Sequence, residues 1–294
     1  MPPIEPSPYW CVIGGGNMAR AIVERALARG VMQPDRCVIA EPDPEKRTHF
    51  ESRRIKTAPD AAVALARAAE SDSPESVVIL LAIKPQVLPQ ISADVATALG
   101  SLGGTAVLSI LAGTTTATLE HALGANARVV RAMPNLPAQI GLGVSAVCAG
   151  RSATSIDLNA ARALLSSVGE IVDLDESHFD AFTALAGSGP AYLFYLAEAL
   201  SKAAEELGLP PDLSDRVTRQ MLLGSATLLE RDAEHSAQQL RAAVTSRGGT
   251  TAAATAVLDA HGFLAIWSEA LRAARQRGRE LNAPPTSPPS GSAG

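Results

Sequence analysis

Tyr9-Trp10-Cys11-Val12-Ile13-Gly14-Gly15-Gly16-Asn17-Met18-Ala19 is an apolar run interrupted by three glycines. The apolar part reads as a buried strand. Beyond the glycines Ile22, Val23 and Leu27 recur at helical spacing, and Gly30 stands in the usual stop position. Strand, G-x-G-x-x-A and helix in that order form a dinucleotide fingerprint, with Ala19 as the third small residue. The chemistry needs glycine because only glycine makes the tight turn and lets the backbone approach a pyrophosphate closely. The first N–H groups of a helix also lack intrahelical partners and favour an anion. Gly14, Gly15, Gly16, Asn17, Met18 and Ala19 are therefore candidate cofactor-binding residues.

A second strand, Cys37 to Ala40, ends in Glu41, at the distance past the loop where an acidic residue accepts from the hydroxyls of an adenosine ribose. A carboxylate there repels a 2′-phosphate, whereas Lys46 and Arg47 just downstream attract one. Both NADH and NADPH therefore stay open as the cofactor. Val77 to Ile83 is wholly apolar, as a central parallel strand should be, and ends in Lys84-Pro85-Gln86. Ligands of open α/β sheets sit beyond the carboxyl ends of the strands. Ala82, Ile83, Lys84 and Pro85 thus make a candidate cofactor wall. Thr105 to Ile110 and Arg128 to Met133 read as further strands, with shorter ones at Val144 to Ala149 and Ile171 to Leu174. Helices are expected over Lys56 to Glu70, Gln86 to Leu102, Thr114 to Leu123 and Ser155 to Val168. The alternation predicts an α/β fold, an N-terminal Rossmann-type doubly wound, mostly parallel sheet over residues 8–174.

From Glu176 to Leu281 the pattern is helical, broken at Gly187-Ser188-Gly189-Pro190, at Gly208-Leu209-Pro210-Pro211 and at Ser246 to Gly249. Residues 175–282 are expected to form an all-α dimerisation domain, and the Pro/Ser/Gly-rich stretch 283–294 a disordered tail. Tyr192, Leu193, Leu196, Ala199, Leu200 and Ala203 form an apolar face at helical spacing, expected to be helix–helix core. A helical module this apolar often buries surface against a second copy.

Composition narrows the rest. With 47% hydrophobic and 19% charged residues, the 294-residue chain is an ordinary globular protein. A net charge of -5 argues against a nucleic-acid partner. The longest apolar run is too short to span a bilayer, and Met1 to Pro6 lacks the character of a signal peptide, so the cytoplasm is expected. Cys11, Cys37 and Cys148 are far apart, and the five histidines have no paired-ligand spacing, so no metal is expected. Tyr-x-x-x-Lys, G-x-S-x-G and the phosphate-loop G-x-x-x-x-G-K-[ST] are absent. Without an obvious acid–base couple, hydride delivery to an already electrophilic centre fits best, since the cofactor carries the hard chemistry.

Leu240-Arg241-Ala242-Ala243-Val244-Thr245-Ser246-Arg247-Gly248-Gly249-Thr250-Thr251 leads into an Ala-rich run. It reads as a tight, hydroxyl-rich loop feeding a helix N-terminus. Such a loop can hold a small carboxylate through N–H and hydroxyl groups, or be simply a capped helix after a turn.

The motifs so far, with Arg131-Ala132-Met133-Pro134-Asn135 and Ala186-Gly187-Ser188-Gly189-Pro190-Ala191-Tyr192, fall in an order that resembles the pyrroline-5-carboxylate reductase family over about residues 9–280. That resemblance implies NAD(P)H-dependent reduction of a cyclic imino acid to proline. It implies that Ala82, Lys84, Pro85 and Ala112 line the nicotinamide side and that Asn135 shapes the floor between cofactor and substrate. It also implies that Ser246, Gly248, Gly249, Thr250 and Thr251 bind substrate, with Thr251 catalytic through a hydrogen bond to the imine nitrogen. Family members pair through interlocked helical domains and often form decamers of five dimers. Three positions depart from the family pattern. Arg247 replaces a proline, a loss of roughly 0.4–1 kcal/mol of turn rigidity. Leu136 stands where threonine is common, and Asp60 near an asparagine that helps hold the adenosine end; with Glu41 it tilts the cofactor choice toward NADH. The other readings are a non-catalytic dinucleotide-binding redox sensor and a related cyclic-imine reductase.

Overall fold

The structure is a computed structural model that describes residues 8–72, 76–102, 105–124 and 127–282. The expected tail, 283–294, lies outside the described residues. The described chain separates into two compact units: residues 8–187 with 275–282, and residues 188–274.

The first unit alternates as its apolar pattern requires. β1 (Tyr9–Ile13), α1 (Asn17–Ala28), β2 (Cys37–Ala40), α2 (Pro44–Glu51), β3 (Lys56–Ala58) and α3 (Ala61–Ala69) make its first half. β4 (Val77–Leu81), α4 (Leu88–Ser101), β5 (Ala106–Ser109), α5 (Thr116–Leu123), β6 (Arg128–Met133), β7 (Gly143–Ala149), α6 (Ser155–Leu165), β8 (Gly169–Asp173) and α7 (Phe179–Phe182) complete it. The eight strands form one sheet in the order β3-β2-β1-β4-β5-β6-β7-β8. β1 pairs in parallel with both β2 and β4, so the strand order reverses direction there. Both faces are covered. Trp10, Val12, Ile39 and Leu80 belong to one buried cluster with Ile22 of α1 and Leu164 of α6. Their strand neighbours Cys11, Ile13, Val38, Ile79 and Leu81 belong to another with Leu65 of α3 and Leu119 of α5. Period-two alternation between two apolar faces is what makes these strands near-continuous hydrophobic runs.

The structure differs from the sequence reading at the start of α3. Residues 56–58, expected to open a helix, form β3, paired parallel to β2, and α3 begins only at Ala61. Ala58 precedes Pro59, whose ring disfavours helical geometry at the residue before it. Asp60 then caps α3, accepting from the Val63 N–H at 2.9 Å. β7 runs antiparallel to β6, unlike every other pair, after a 3-10 turn over Leu136–Ile140 closed by Gly141 at φ +76°.

The second unit is helical. α8 (Gly189–Glu206) and α9 (Pro211–Arg231) are followed by α10 (Ala237–Ala243) and α11 (Thr250–Ala260), with α12 (Phe263–Asn282) passing back into the first unit. Tyr192 and Trp267 meet edge to face at 5.8 Å. The expected helix–helix core on α8 is not buried within this chain. Tyr192, Leu196 and Leu200 are half-buried, and Leu193, Ala199 and Ala203 are exposed. No hydrophobic residue of 188–274 is fully buried; only Ser214 and Thr218 are. A unit without a closed core of its own needs a partner surface.

Candidate active site

The glycine turn after β1 is set by close packing. Gly14 has φ +103°, and its N–H donates to Ala40 O at 2.9 Å. A Cβ at this position would stand 2.5 Å from the Ala82 carbonyl oxygen. The Gly15 N–H donates to Glu41 Oε2 at 2.8 Å, and a Cβ there would meet Phe50 at 2.9 Å. Gly16 is the N-cap of α1. It makes no side-chain capping bond, no acidic residue stands in the first turn, and nothing lies within 4 Å of where its Cβ would be. Open space above an uncapped helix N-terminus is what a pyrophosphate requires, so the residues present fit a dinucleotide. Asn17 is exposed, Met18 half-buried, and Ala19 fully buried against the sheet.

Glu41 follows β2 and is only 6% exposed. Besides Gly15, its carboxylate accepts from the Asp43 N–H at 3.1 Å, and Lys46 Nζ lies 3.9 Å from Oε1. The two cations that sequence reading left equivalent are not so. Arg47 Nη1 donates to the carbonyls of Glu41 and Pro42, each at 2.8 Å, so this guanidinium braces the loop that carries Glu41. Sequence reading also missed Phe50, 1% exposed, which walls Gly15; its one signal was a lone aromatic in a polar helix. Asp60 is occupied as the cap of α3, so Glu41 alone carries the argument about the ribose.

The next loops are tied to the strand ends beside them. Ala82 N–H donates to Ile13 O at 2.8 Å, and Ile110 N–H to Leu81 O at 3.1 Å. Ile83 packs on the core, Lys84 is exposed, and Pro85 opens a 3-10 turn before α4. Ala112 is exposed in the turn after β5, beside Gly113 at φ +68°. Asn135, after β6, is 8% exposed and uses both ends of its amide: Oδ1 accepts from the Val144 N–H at 2.9 Å and Nδ2 donates to Ala186 O at 3.1 Å. The structure thus gathers Gly14 to Ala19, Glu41, Ala82 to Pro85, Ala112 and Asn135 at the carboxyl ends of β1, β2, β4, β5 and β6.

An ion pair with one buried partner joins β6 to the chain after β8. Arg131 of β6 is 3% exposed, donates to Glu176 Oε1 at 2.9 Å, and stacks over Phe179 with its guanidinium carbon 4.5 Å from the ring centre. The Glu176 carboxylate also accepts from the Thr116 N–H and hydroxyl, both at 2.7 Å. Burial pushes the Glu176 carboxyl up, but the Thr116 hydroxyl and N–H and the Arg131 guanidinium outweigh it and hold the group below its ordinary value.

In the second unit, Ser246 to Gly249 is a tight turn in which the Gly249 N–H donates to Ser246 O at 3.0 Å and Gly248 has φ +71°. Gly249 is the N-cap of α11, with no side-chain capping bond and no acidic residue in the first turn. A Cβ on Gly249 would stand 2.4 Å from Ser246 Oγ, so the serine hydroxyl lies directly over the cap. Ser246, Arg247 and Thr250 are exposed, and Thr251 is half-buried in the first turn.

A model of pyrroline-5-carboxylate reductase dimerisation matches residues 176–281, and one described as NADP oxidoreductase, coenzyme F420-dependent, matches residues 10–113. The pyrroline-5-carboxylate reductase of Synechocystis is 38% identical over 92% of this chain and 97% of its own length. The chain belongs to the pyrroline-5-carboxylate reductase family. The family's Pseudomonas aeruginosa member is 37% identical over 94% of this chain and 97% of its own. The solved pyrroline-5-carboxylate reductase of Coxiella burnetii superposes with a TM-score of 0.84 at 34% identity, covering 95% of this chain and all (100%) of that one. As a member of the pyrroline-5-carboxylate reductase family, this chain carries a dimerisation domain and self-associates. Among the described residues no helix is long and apolar enough to cross a membrane, and no cluster of His, Cys, Asp or Glu is arranged to hold a metal.

Proposed function

We propose that this protein reduces 1-pyrroline-5-carboxylate to proline with NAD(P)H, the last step of proline biosynthesis. The observation that carries the reading is the pairing, in one family member, of an open dinucleotide cradle at Gly14 to Ala19 with an uncapped, hydroxyl-rich helix start at Ser246 to Thr251. Its direct test is NAD(P)H oxidation by the purified protein. Oxidation that depends on added pyrroline-5-carboxylate supports the reading, and none under any cofactor sinks it.

The first-turn N–H groups of α1 hold the pyrophosphate, and Glu41 takes the adenosine ribose. Ala82, Ile83, Lys84, Pro85 and Ala112 border the nicotinamide end. The substrate carries one carboxylate, which the N–H groups around Gly248, Gly249 and Thr250 grip together with the Ser246 hydroxyl. Bound NAD(P)H supplies the hydride that converts the C=N bond to C–N. The Thr251 hydroxyl donates a hydrogen bond to the imine nitrogen and orients it. Water supplies the proton, because a threonine hydroxyl is too weak an acid. Most of the acceleration comes from orientation. Thr251→Ala should therefore lower kcat/KM by about 2- to 10-fold, the worth of a hydrogen bond between neutral groups. The dissociation constant for NADH, read by its fluorescence, should not change. An unaltered kcat/KM removes Thr251 from the mechanism.

The preferred cofactor is NADH. What supports this is a buried Glu41 carboxylate anchored on Gly15, and an Arg47 already committed to carbonyls. KM should be lower for NADH than for NADPH, and Glu41→Ser should narrow the difference. A lower KM for NADPH in the unaltered enzyme refutes the preference. The dimer is the unit of assembly, and a decamer of five dimers is the higher state that the family resemblance suggests; light scattering on the eluted protein measures both. The proposed compartment is the cytoplasm, in keeping with three free thiols.

A further inference from the structure

Glu24 lies on α1, past the residues that open the cradle, and takes no part in the chemistry proposed above. Three side chains converge on its Oε1. Arg20 Nε of the same helix stands 3.1 Å away, Arg53 Nη2 2.7 Å and His49 Nε2 2.6 Å. Burial pushes the Glu24 carboxyl up, but the hydrogen bonds from His49 and Arg20 and the charge of Arg53 outweigh it and hold the group below its ordinary value. His49 belongs to α2 and Arg53 to the turn after it. Arg53 also donates to the His49 carbonyl at 2.9 Å, so the two reach Glu24 as one unit. Within α2 only Phe50 is buried. A helix this polar has no apolar stripe to dock by. The bonds of Asp43 and Arg47 run inside residues 41–47, so they shape the loop without fixing its distance from α1. Among the described residues, the ion pairs from α1 to residues 43–53 all end on Glu24.

We infer that Glu24 is a positioning residue for the adenosine half of the cofactor: it ties α2 to α1 and so sets Phe50 and the Glu41 loop against Gly15. The inference rests on the reading of Gly14 to Ala19 and Glu41 as the dinucleotide cradle, and not on the identity of the substrate. The rings of His49 and Phe50 meet edge to face, their centres 5.4 Å apart. A Cβ on Gly15 would stand 2.9 Å from the Phe50 ring and 3.0 Å from Glu41 Oε2, so Gly15 is held between the two. Letting α2 drift from α1 therefore shifts the ring that backs the glycine turn and loosens the carboxylate bonded to the Gly15 N–H. A direct electrostatic role has the opposite sign. Glu24 follows Gly16 by eight residues, about 12 Å along the helix. An anion there repels a diphosphate, weakly, because salt screens charges at that range. Losing only the charge thus tightens cofactor binding, and losing the tie weakens it.

Glu24→Ala should raise the dissociation constants of NADH and of ADP-ribose together, by roughly 3- to 10-fold, as read by calorimetry without substrate. ADP-ribose carries the adenosine and the pyrophosphate but no nicotinamide, so an equal factor places the defect in that half. KM for NADH should rise in step, while kcat at saturating NADH holds. Glu24→Gln keeps an oxygen that accepts from both His49 and Arg53, and should retain most of the affinity. His49→Ala breaks the same tie from the other side and should weaken both ligands. Combined with Glu24→Ala it should cost less than the sum of the two. Should Glu24→Ala melt too early to titrate, His49→Ala and Glu24→Gln carry the comparison. Unchanged or tighter binding in Glu24→Ala and His49→Ala, a weakening confined to NADH, or a fall in kcat in place of the rise in KM overturns the inference. A parent protein that binds neither NADH nor ADP-ribose fails the cradle reading itself and takes the inference with it, so the two failures are distinguishable.

Discussion

Gly14→Ala should abolish cofactor binding and also destabilise the fold. The methyl would stand 2.5 Å from the Ala82 carbonyl oxygen, a backbone atom held by its own hydrogen bond from Ala82 N–H to Ile13. Neither side can yield without parting β1 from β4 at the point where the strand order reverses. The left-handed φ of +103° adds strain for any residue with a Cβ. Together these amount to about 2–5 kcal/mol. Gly16→Ala is the informative contrast. Its φ is -69°, and its Cβ would meet nothing. It should melt like the parent, yet bind NADH far more weakly, because its methyl fills the space the pyrophosphate needs. Thermal melting and fluorescence titration read the two effects separately. A Gly14→Ala protein that melts like the parent would show that the turn is not constrained as described.

Glu176→Ala is expected to be the most damaging change to the ion pair of Arg131 and Glu176. It leaves the Arg131 guanidinium buried with no carboxylate, a situation that costs about 3 kcal/mol. Arg131→Met should cost less. It removes the buried charge, and the remaining Glu176 carboxylate is 30% exposed and keeps both Thr116 donors. The pH dependence follows from the lowered titration of Glu176. A carboxyl whose folded value lies below its unfolded one adds stability above about pH 4.3 and loses it as pH falls through the folded value. The parent melting temperature should therefore drop more steeply below that pH than that of Glu176→Gln. Parallel curves for the two proteins would remove Glu176 from the acid sensitivity.

Much of this was legible in the chain. Gly14 to Ala19 could be read because steric demand leaves few residues able to make that turn. Glu41 could be read because strand length fixes where β2 ends. The apolar strands could be read because both faces are buried. What escaped depends on partners far away in sequence. Three residues of β3 are too few to show a period, and its pairing with β2 decides it. Arg47 looked like a phosphate ligand until the carbonyls of Glu41 and Pro42 were seen to hold it. Pro190 announced a helix start, but nothing nearby says that Asn135, 51 residues before Ala186, donates to the Ala186 carbonyl. The apolar face of α8 was read as helix–helix core, and in the single chain it is half-buried or exposed, since a period cannot say whose surface covers it.

The order of the strands also bears on how copies of this chain meet. The sheet terminates in β3 on one side, only three residues (Lys56–Ala58), and in β8 on the other, which carries Glu170 and Asp173. Short or charged outer strands offer a poor template for another chain's backbone, a protection against edge-to-edge aggregation. Apolar surface is instead left open on the helices, at Leu193, Phe194, Met221, Leu223, Leu264 and Ile266. Association is thereby directed to side-chain packing between helices, where fit selects the partner, and away from main-chain bonding, which would accept almost any strand.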